Sequence, residues 1–111
     1  MGRKQVLEKE LNIFVEKVRK AYRPEKIILF GSLPAGKVTE SSDLDVIVVA
    51  ETQDNFWNRM KDISKFCSRK VGMDVLVYTP AEFDKLLSTR TFFKTEIQEK
   101  GKVVYEQSQT S

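Results

Sequence analysis

The sequence predicts an α/β (α+β) fold, a small mixed β-sheet flanked by helices in the order α-β-β-α-β-α-α-β. Three observations predict it. Short runs rich in valine and isoleucine at residues 26–30, 43–50 and 73–78 read as strands. Stretches with apolar residues at three- and four-residue spacing, at 4–22 and 53–70, read as amphipathic helices between them. The segment joining the second and third strands has the length of a one-helix crossover, which implies that those two strands run parallel.

In residues 4–22, Leu7, Leu11, Phe14, Val18 and Tyr22 form one apolar stripe. Arg23-Pro24 ends this helix, because the residue before proline disfavours helical backbone. Residues 26–30 form a buried strand. Residues 31–42 hold Gly31, Pro34, Gly36 and a Ser-Ser pair, which is loop chemistry. This loop lets the second strand return antiparallel to the first.

The second helix, 53–70, carries Phe56, Met60, Ile63 and Cys67 on one side, with Phe66 adjoining. Phe56 and Trp57 at its start read as core or interface, Cys67 as inert core, and Arg59, Arg69 and Lys70 as helix-surface charges. Gly72 closes the loop before the third strand. Thr79-Pro80-Ala81-Glu82 is a helix start, with threonine as cap, proline in the first turn and glutamate completing a capping box. That helix runs to about Leu87. Residues 91–100 form a further helix ended by Gly101. Phe92 and Phe93 read as core, with one of them available to a partner. Residues 102–106 form a closing edge strand, and 107–111 a frayed polar tail.

The 111 residues make one domain, 1–111, able to bury about two thirds of its unfolded surface. Apolar residues are 41% and charged residues 32%, which is a soluble, globular balance. The apolar runs are too short to cross a bilayer, and the charged N-terminus lacks a signal peptide's apolar stretch, so a cytoplasmic protein is expected. The net charge of +3 falls short of a nucleic-acid footprint. One cysteine and no histidine exclude an internal disulfide, Cys/His zinc sites and histidine-based catalysis. Chemistry must come from carboxylates, hydroxyls, lysines, arginines or the backbone.

Carboxylates are where the pattern is unusual. Asp43-Leu44-Asp45 opens a strand, although aspartate is depleted in strands. Residues two apart on a strand face the same side, with Cα atoms roughly 6.5–7 Å apart. Two carboxylates so placed repel unless a cation lies between them, and Mg²⁺ suits such oxygens. Asp74 stands near the start of the third strand. If the second and third strands are parallel, Asp43, Asp45 and Asp74 share one sheet edge. If the first strand is antiparallel, its end brings Gly31-Ser32 to that edge as well. Glycine permits close backbone approach, and backbone N–H groups with the Ser32 hydroxyl can bind phosphate. Taken singly, each of these residues also fits ordinary turn chemistry. Together they form the parts list of metal-assisted phosphoryl or nucleotidyl transfer.

Leu29-Phe30-Gly31-Ser32, ten further residues and Asp43-Leu44-Asp45 resemble the Gly-Ser-x10-Asp-x-Asp signature of DNA polymerase β-like nucleotidyltransferases. The resemblance is greatest to the minimal nucleotidyltransferases, stand-alone domains of this length. It extends through Met73-Asp74-Val75-Leu76 and the ending Glu99-Lys100-Gly101-Lys102-Val103-Val104-Tyr105-Glu106. It implies a palm-like fold. It also implies that Asp43 and Asp45 hold two Mg²⁺ ions carrying ATP or another NTP. Asp74 would bind the metal at the attacking hydroxyl, and Gly31 and Ser32 would grip the β- and γ-phosphates. Family members often read Gly-Ser-Arg-x-Arg-Gly, whereas this chain has Gly31-Ser32-Leu33-Pro34-Ala35-Gly36 and so lacks both arginines. Lys37 is either a partial substitute, as a point charge, or an ordinary solvated lysine.

The implied activity is transfer of NMP, AMP from ATP first among them, to a hydroxyl. Such minimal domains pair with small helical HEPN proteins and resemble antitoxins that modify or bind the toxin, so the expected partner is a HEPN-like protein or a second copy of this chain. The alternative is a binding module without turnover, which the missing arginines favour. Transfer to a small molecule and a polymerase role fit less well, because nothing in the chain forms an acceptor or template domain.

Overall fold

The computed structural model describes residues 2–108, whose backbone builds one four-stranded sheet covered on both faces. The first helix, α1 (Arg3–Tyr22), is seated by its stripe: Leu7, Leu11, Phe14 and Val18 are all buried. Gln5 accepts a hydrogen bond from the Gly2 N–H at 2.8 Å, which satisfies one free donor at the helix start. Arg23 ends the helix in the left-handed conformation (φ 49°), and Pro24 prevents its continuation.

Strands β1 (Lys26–Phe30), β2 (Leu44–Val49), β3 (Met73–Tyr78) and β4 (Lys102–Glu106) lie in the order β3-β2-β1-β4. β2 and β3 are parallel and β1 is antiparallel to β2, as the connections predict, and β4 pairs antiparallel with β1. Strand alternation divides the core. Leu29, Leu44, Val46, Val48, Val75 and Val77 pack with α1 and with Ile63 of α2 (Phe56–Ser64). Ile28, Ile47 and Val49 pack on the opposite face with Phe83 of α3 (Pro80–Thr89) and Ile97 of a π-helix at Phe93–Glu99.

Two helices depart from expectation. Helix α2 spans Phe56–Ser64 rather than 53–70. Asn55 caps it, its side chain accepting from the Asn58 N–H at 2.9 Å, so residues 53–55 stay outside. At its other end Phe66 and Cys67 donate three residues back, to Ile63 and Ser64. These tighter turns keep Phe66 and Cys67 against the core after the helix has stopped, so the apolar spacing outlasts the helix. The helix expected at 91–100 is π-wound, with the Lys100 N–H donating to the Thr95 carbonyl at 3.1 Å.

Helix α3 starts as expected. The Thr79 hydroxyl accepts from the Glu82 N–H, and Glu82 accepts from the Thr79 N–H. It runs two residues beyond Leu87, to Thr89. The tail begins tied down, since the Gln107 N–H donates to the Glu25 carbonyl at 2.8 Å. Residues 109–111 of that expected frayed segment lie outside the described residues.

Arg59, expected at the helix surface, is buried, and of the two readings of Trp57 the structure excludes the core. Arg59 is only 8% exposed and holds Glu82 through two N–H groups, while also donating to the Asp54 and Val77 carbonyls. Trp57 is 78% exposed, with Phe56 edge-on beside it. Among the described residues no helix is long and apolar enough to cross a membrane.

Candidate active site

The sheet register assembles the acidic edge. Phe30 lies opposite Asp45 across the antiparallel pair, and Asp45 lies beside Asp74 across the parallel pair. Since Val46 and Val75 point into the α1 side, Asp45 and Asp74 face the α3 side, at the starts of β2 and β3. Asp43 precedes β2 in the adjoining loop. Asp45 is half-buried, whereas Asp43 and Asp74 are exposed.

Electrostatics mark Asp45 as the strained member. Its carboxyl titrates above the usual aspartate range, first because it is buried, then because Asp74 and Asp43 add negative charge and Asp74 shares a hydrogen bond with it. Neither Asp45 nor Asp74 has an ion-pair partner among the described residues. A hard divalent cation would offset that repulsion, so the donor set fits Mg²⁺ chemically. The three carboxylates do not close into a ready-made three-ligand cage among the described residues. Asp45 and Asp74 form the close pair, while Asp43 is drawn toward Arg3.

Two glycines make room for these side chains. Gly31 has φ +85°, and a Cβ there would overlap the Asp45 carboxylate. A Cβ on Gly72 would lie 2.6–2.8 Å from the Asp43 carboxylate. The Leu44 N–H also donates to the Gly72 carbonyl at 3.0 Å, zipping the two loops together at the strand starts.

Helix α1 braces both loops. Arg3 donates to the Ser42 carbonyl through Nε (3.0 Å) and Nη2 (2.8 Å), and its Nη2 stands 3.6 Å from Asp43 Oδ1. Glu10, buried one side of the helix further on, accepts a 2.7 Å hydrogen bond from Ser68, in the segment leading to Gly72. Arg3 and Glu10 carried no signal in sequence, because each is one charge among many in a charged helix and its partner lies far along the chain. Gly72 had a signal, its place two residues before Asp74.

The Gly31–Lys37 loop is folded by its own backbone. The Ala35 N–H donates to Gly31 and the Lys37 N–H to Ser32 (2.9 Å), with Gly36 at φ +72°. Ser32 is thereby held one residue beyond the end of β1, whose last residue Phe30 pairs with Asp45, and its hydroxyl makes no hydrogen bond among the described residues. Lys37 is exposed at the far end of the loop and in no ion pair among the described residues. The edge thus brings Gly31, Ser32, Asp43, Asp45 and Asp74 together and leaves Lys37 at the periphery.

A mixed sheet with carboxylates at adjacent parallel strand starts, beside a tight Gly-Ser loop, defines a nucleotidyltransferase-class domain. The family model described as Polymerase beta, Nucleotidyltransferase matches residues 12–110, and the chain belongs to that family. A relative from Methanocaldococcus jannaschii, named as a "putative protein adenylyltransferase", is 30% identical over 102 residues, covering 88% of this chain and 97% of the relative. The fold is shared with the crystal structure of a "putative nucleotidyltransferase" from Sulfolobus solfataricus, with TM-score 0.64 and 20% identity over 96% of this chain and 91% of the other. It is also shared with a chain from the crystal structure of a toxin-antitoxin with AMP-PNP, with TM-score 0.54 and 23% identity over 86% of this chain and 73% of the other.

Proposed function

We propose that this chain is a Mg²⁺-dependent adenylyltransferase that moves AMP from ATP to a hydroxyl of a protein partner. The observation carrying the proposal is the register that sets Asp45 beside Asp74 at the sheet edge where Gly31-Ser32 ends β1. Family membership supports the reaction class, and the name of the M. jannaschii relative supports a protein acceptor.

In this reading the acceptor oxygen forms a bond to the α-phosphorus and the bond from that phosphorus to the β-phosphate's bridging oxygen breaks. Pyrophosphate leaves, and the hydroxyl proton passes to Asp74, which is exposed to solvent. Asp43, Asp45 and Asp74 hold the two Mg²⁺ ions, which when bound supply charge neutralisation for the phosphates. The backbone at Gly31-Ser32 and the Ser32 hydroxyl hold the β- and γ-phosphates, with Lys37 adding only a longer-range positive charge from the far end of the loop. Catalysis consists mainly of positioning.

The partner in this proposal is a HEPN-like helical toxin in the cytoplasm, with this chain as its antitoxin. The toxin-antitoxin structure that shares the fold supports such a pairing. A second reading, neutralisation by binding without turnover, is favoured by one observation. The loop residues Leu33, Pro34 and Ala35 bring no cation to the phosphates.

Label transfer from α-³²P-ATP with Mg²⁺, onto the protein encoded beside this gene, tests the proposal. Label is expected on the neighbour with wild type and absent with Asp43→Asn, Asp45→Asn. A stable complex without label, still formed by the double variant, would establish the second reading instead.

A further inference from the structure

An aromatic wall stands on the same sheet face as the carboxylates. Phe30 is the register partner of Asp45, so their Cα atoms lie about 5 Å apart and their side chains share a face. The Phe92 ring meets Phe30 edge-on, with centroids 6.3 Å apart and planes at 85°. Phe93 also meets Phe92 edge-on, at 5.8 Å, and is itself anchored on Tyr78 and Phe83. Phe83 is buried and Phe93 half-buried, but Phe92 remains 54% exposed. A phenylalanine gripped by two rings, with its remaining surface open, is a preorganised stacking surface that loses little entropy when covered.

Its place sets its ligand. A nucleotide whose phosphates lie along Gly31-Ser32 and the carboxylates has one ribose between its α-phosphate and its base. One ring, Phe30, separates Asp45 from Phe92, so the base falls within reach of Phe92. Trp57, more exposed still, begins α2 with Phe56, after the far end of β2, and lies at the opposite sheet edge.

We propose that Phe92, backed by Phe30, is the platform on which the base of the bound nucleotide stacks. The inference rests on the nucleotide-binding reading above and adds the base subsite to it. Stacking uses the π-face that every base has, so the site tolerates different bases, and ATP and GTP bind alike.

Calorimetric titration with Mg-ATP and with Mg-tripolyphosphate tests it, on wild type and Phe92→Ala. The expected result is ATP affinity weakened by about tenfold in the variant, with tripolyphosphate affinity unchanged. A second variant, Trp57→Phe with Phe92→Trp, carries one tryptophan at the platform. ATP is expected to quench its fluorescence and tripolyphosphate to leave it unaltered. Wild-type ATP affinity retained by Phe92→Ala would overturn the platform and leave the nucleotide reading standing. Equal weakening of both ligands would also overturn it, by showing a general loss of the site. Wild type binding neither ligand would overturn both readings.

Discussion

The Asp45 carboxylate occupies the space that a Cβ on Gly31 would need, and Gly31 sits at φ +85° in the conformation that L side chains avoid. The Gly31-Ser32 turn and the half-buried carboxylate are therefore one packed unit. Gly31→Ala is expected to push the carboxylate aside while leaving the core, which lies below it, intact. Label transfer should fall by roughly 100-fold or more, for a displacement on the order of an ångström. Thermal stability should drop by only about 1–2 kcal/mol from the left-handed backbone. Retained transfer in a folded Gly31→Ala chain would detach this turn from the chemistry.

The Asp45–Asp74 pair predicts a stability that depends on both pH and cation. Asp45 titrates above its unfolded value because of burial and its acidic neighbours. A carboxyl raised on folding favours the protonated folded state, so its contribution is greatest below the unfolded pKa and is lost as pH rises through the folded one. Near pH 7 without divalent cations the pair is thus a burden on the fold. Mg²⁺ is expected to stabilise wild type, and Asp45→Asn is expected to raise the melting temperature in EDTA and to lose that response to Mg²⁺. Melting curves with and without Mg²⁺ check this, and an Asp45→Asn chain stabilised by Mg²⁺ as strongly as wild type would remove Asp45 from the metal site.

Most of the fold was legible because its strands are β-branched runs that need no distant partner to be recognised. The carboxylate edge was legible because parallel pairing follows from connection length. The misreadings share a cause. Arg59 looked like a surface charge because its partner Glu82 is 23 residues away. Cys67 extended a helical stripe although tighter turns had replaced the helix. That one of Phe92 and Phe93 is exposed was legible, but which one was not, because Phe92 stands just before the π-helix and Phe93 begins it.

Arg3 links the helix start to the site, through two hydrogen bonds to Ser42 and its approach to Asp43. Removing it frees the loop that holds Asp43 against Gly72. Arg3→Ala is expected to cost about 1–2 kcal/mol of stability, for lost charge-assisted hydrogen bonds. Transfer should fall several-fold at limiting Mg²⁺ and recover at high Mg²⁺, since the carboxylates remain but are less well placed. Arg3→Lys should rescue little, because an ammonium cannot reproduce the paired N–H contacts on one carbonyl. A full rescue by lysine would reduce the role of Arg3 to its charge.

Arg59 and Glu82 tie α2 to the capping box of α3, at the edge opposite the carboxylates. Burial of Arg59 with two backbone carbonyls means that Arg59→Met strands those acceptors as well as Glu82. A loss of about 2 kcal/mol is expected, with little change in the Mg²⁺ dependence of transfer. Glu82 titrates below the usual glutamate range, first through its hydrogen bond to Arg59 and then through the Thr79 N–H. A carboxyl lowered on folding contributes stability that is present above its unfolded pKa and lost as pH falls through the folded one. Wild type should therefore lose stability on acidification below about pH 4.5, near the ordinary glutamate value, more steeply than Arg59→Met does. Urea titrations at pH 7 and pH 3.5 read both effects, and parallel acid profiles for the two chains would show that the pair contributes no pH-dependent stability.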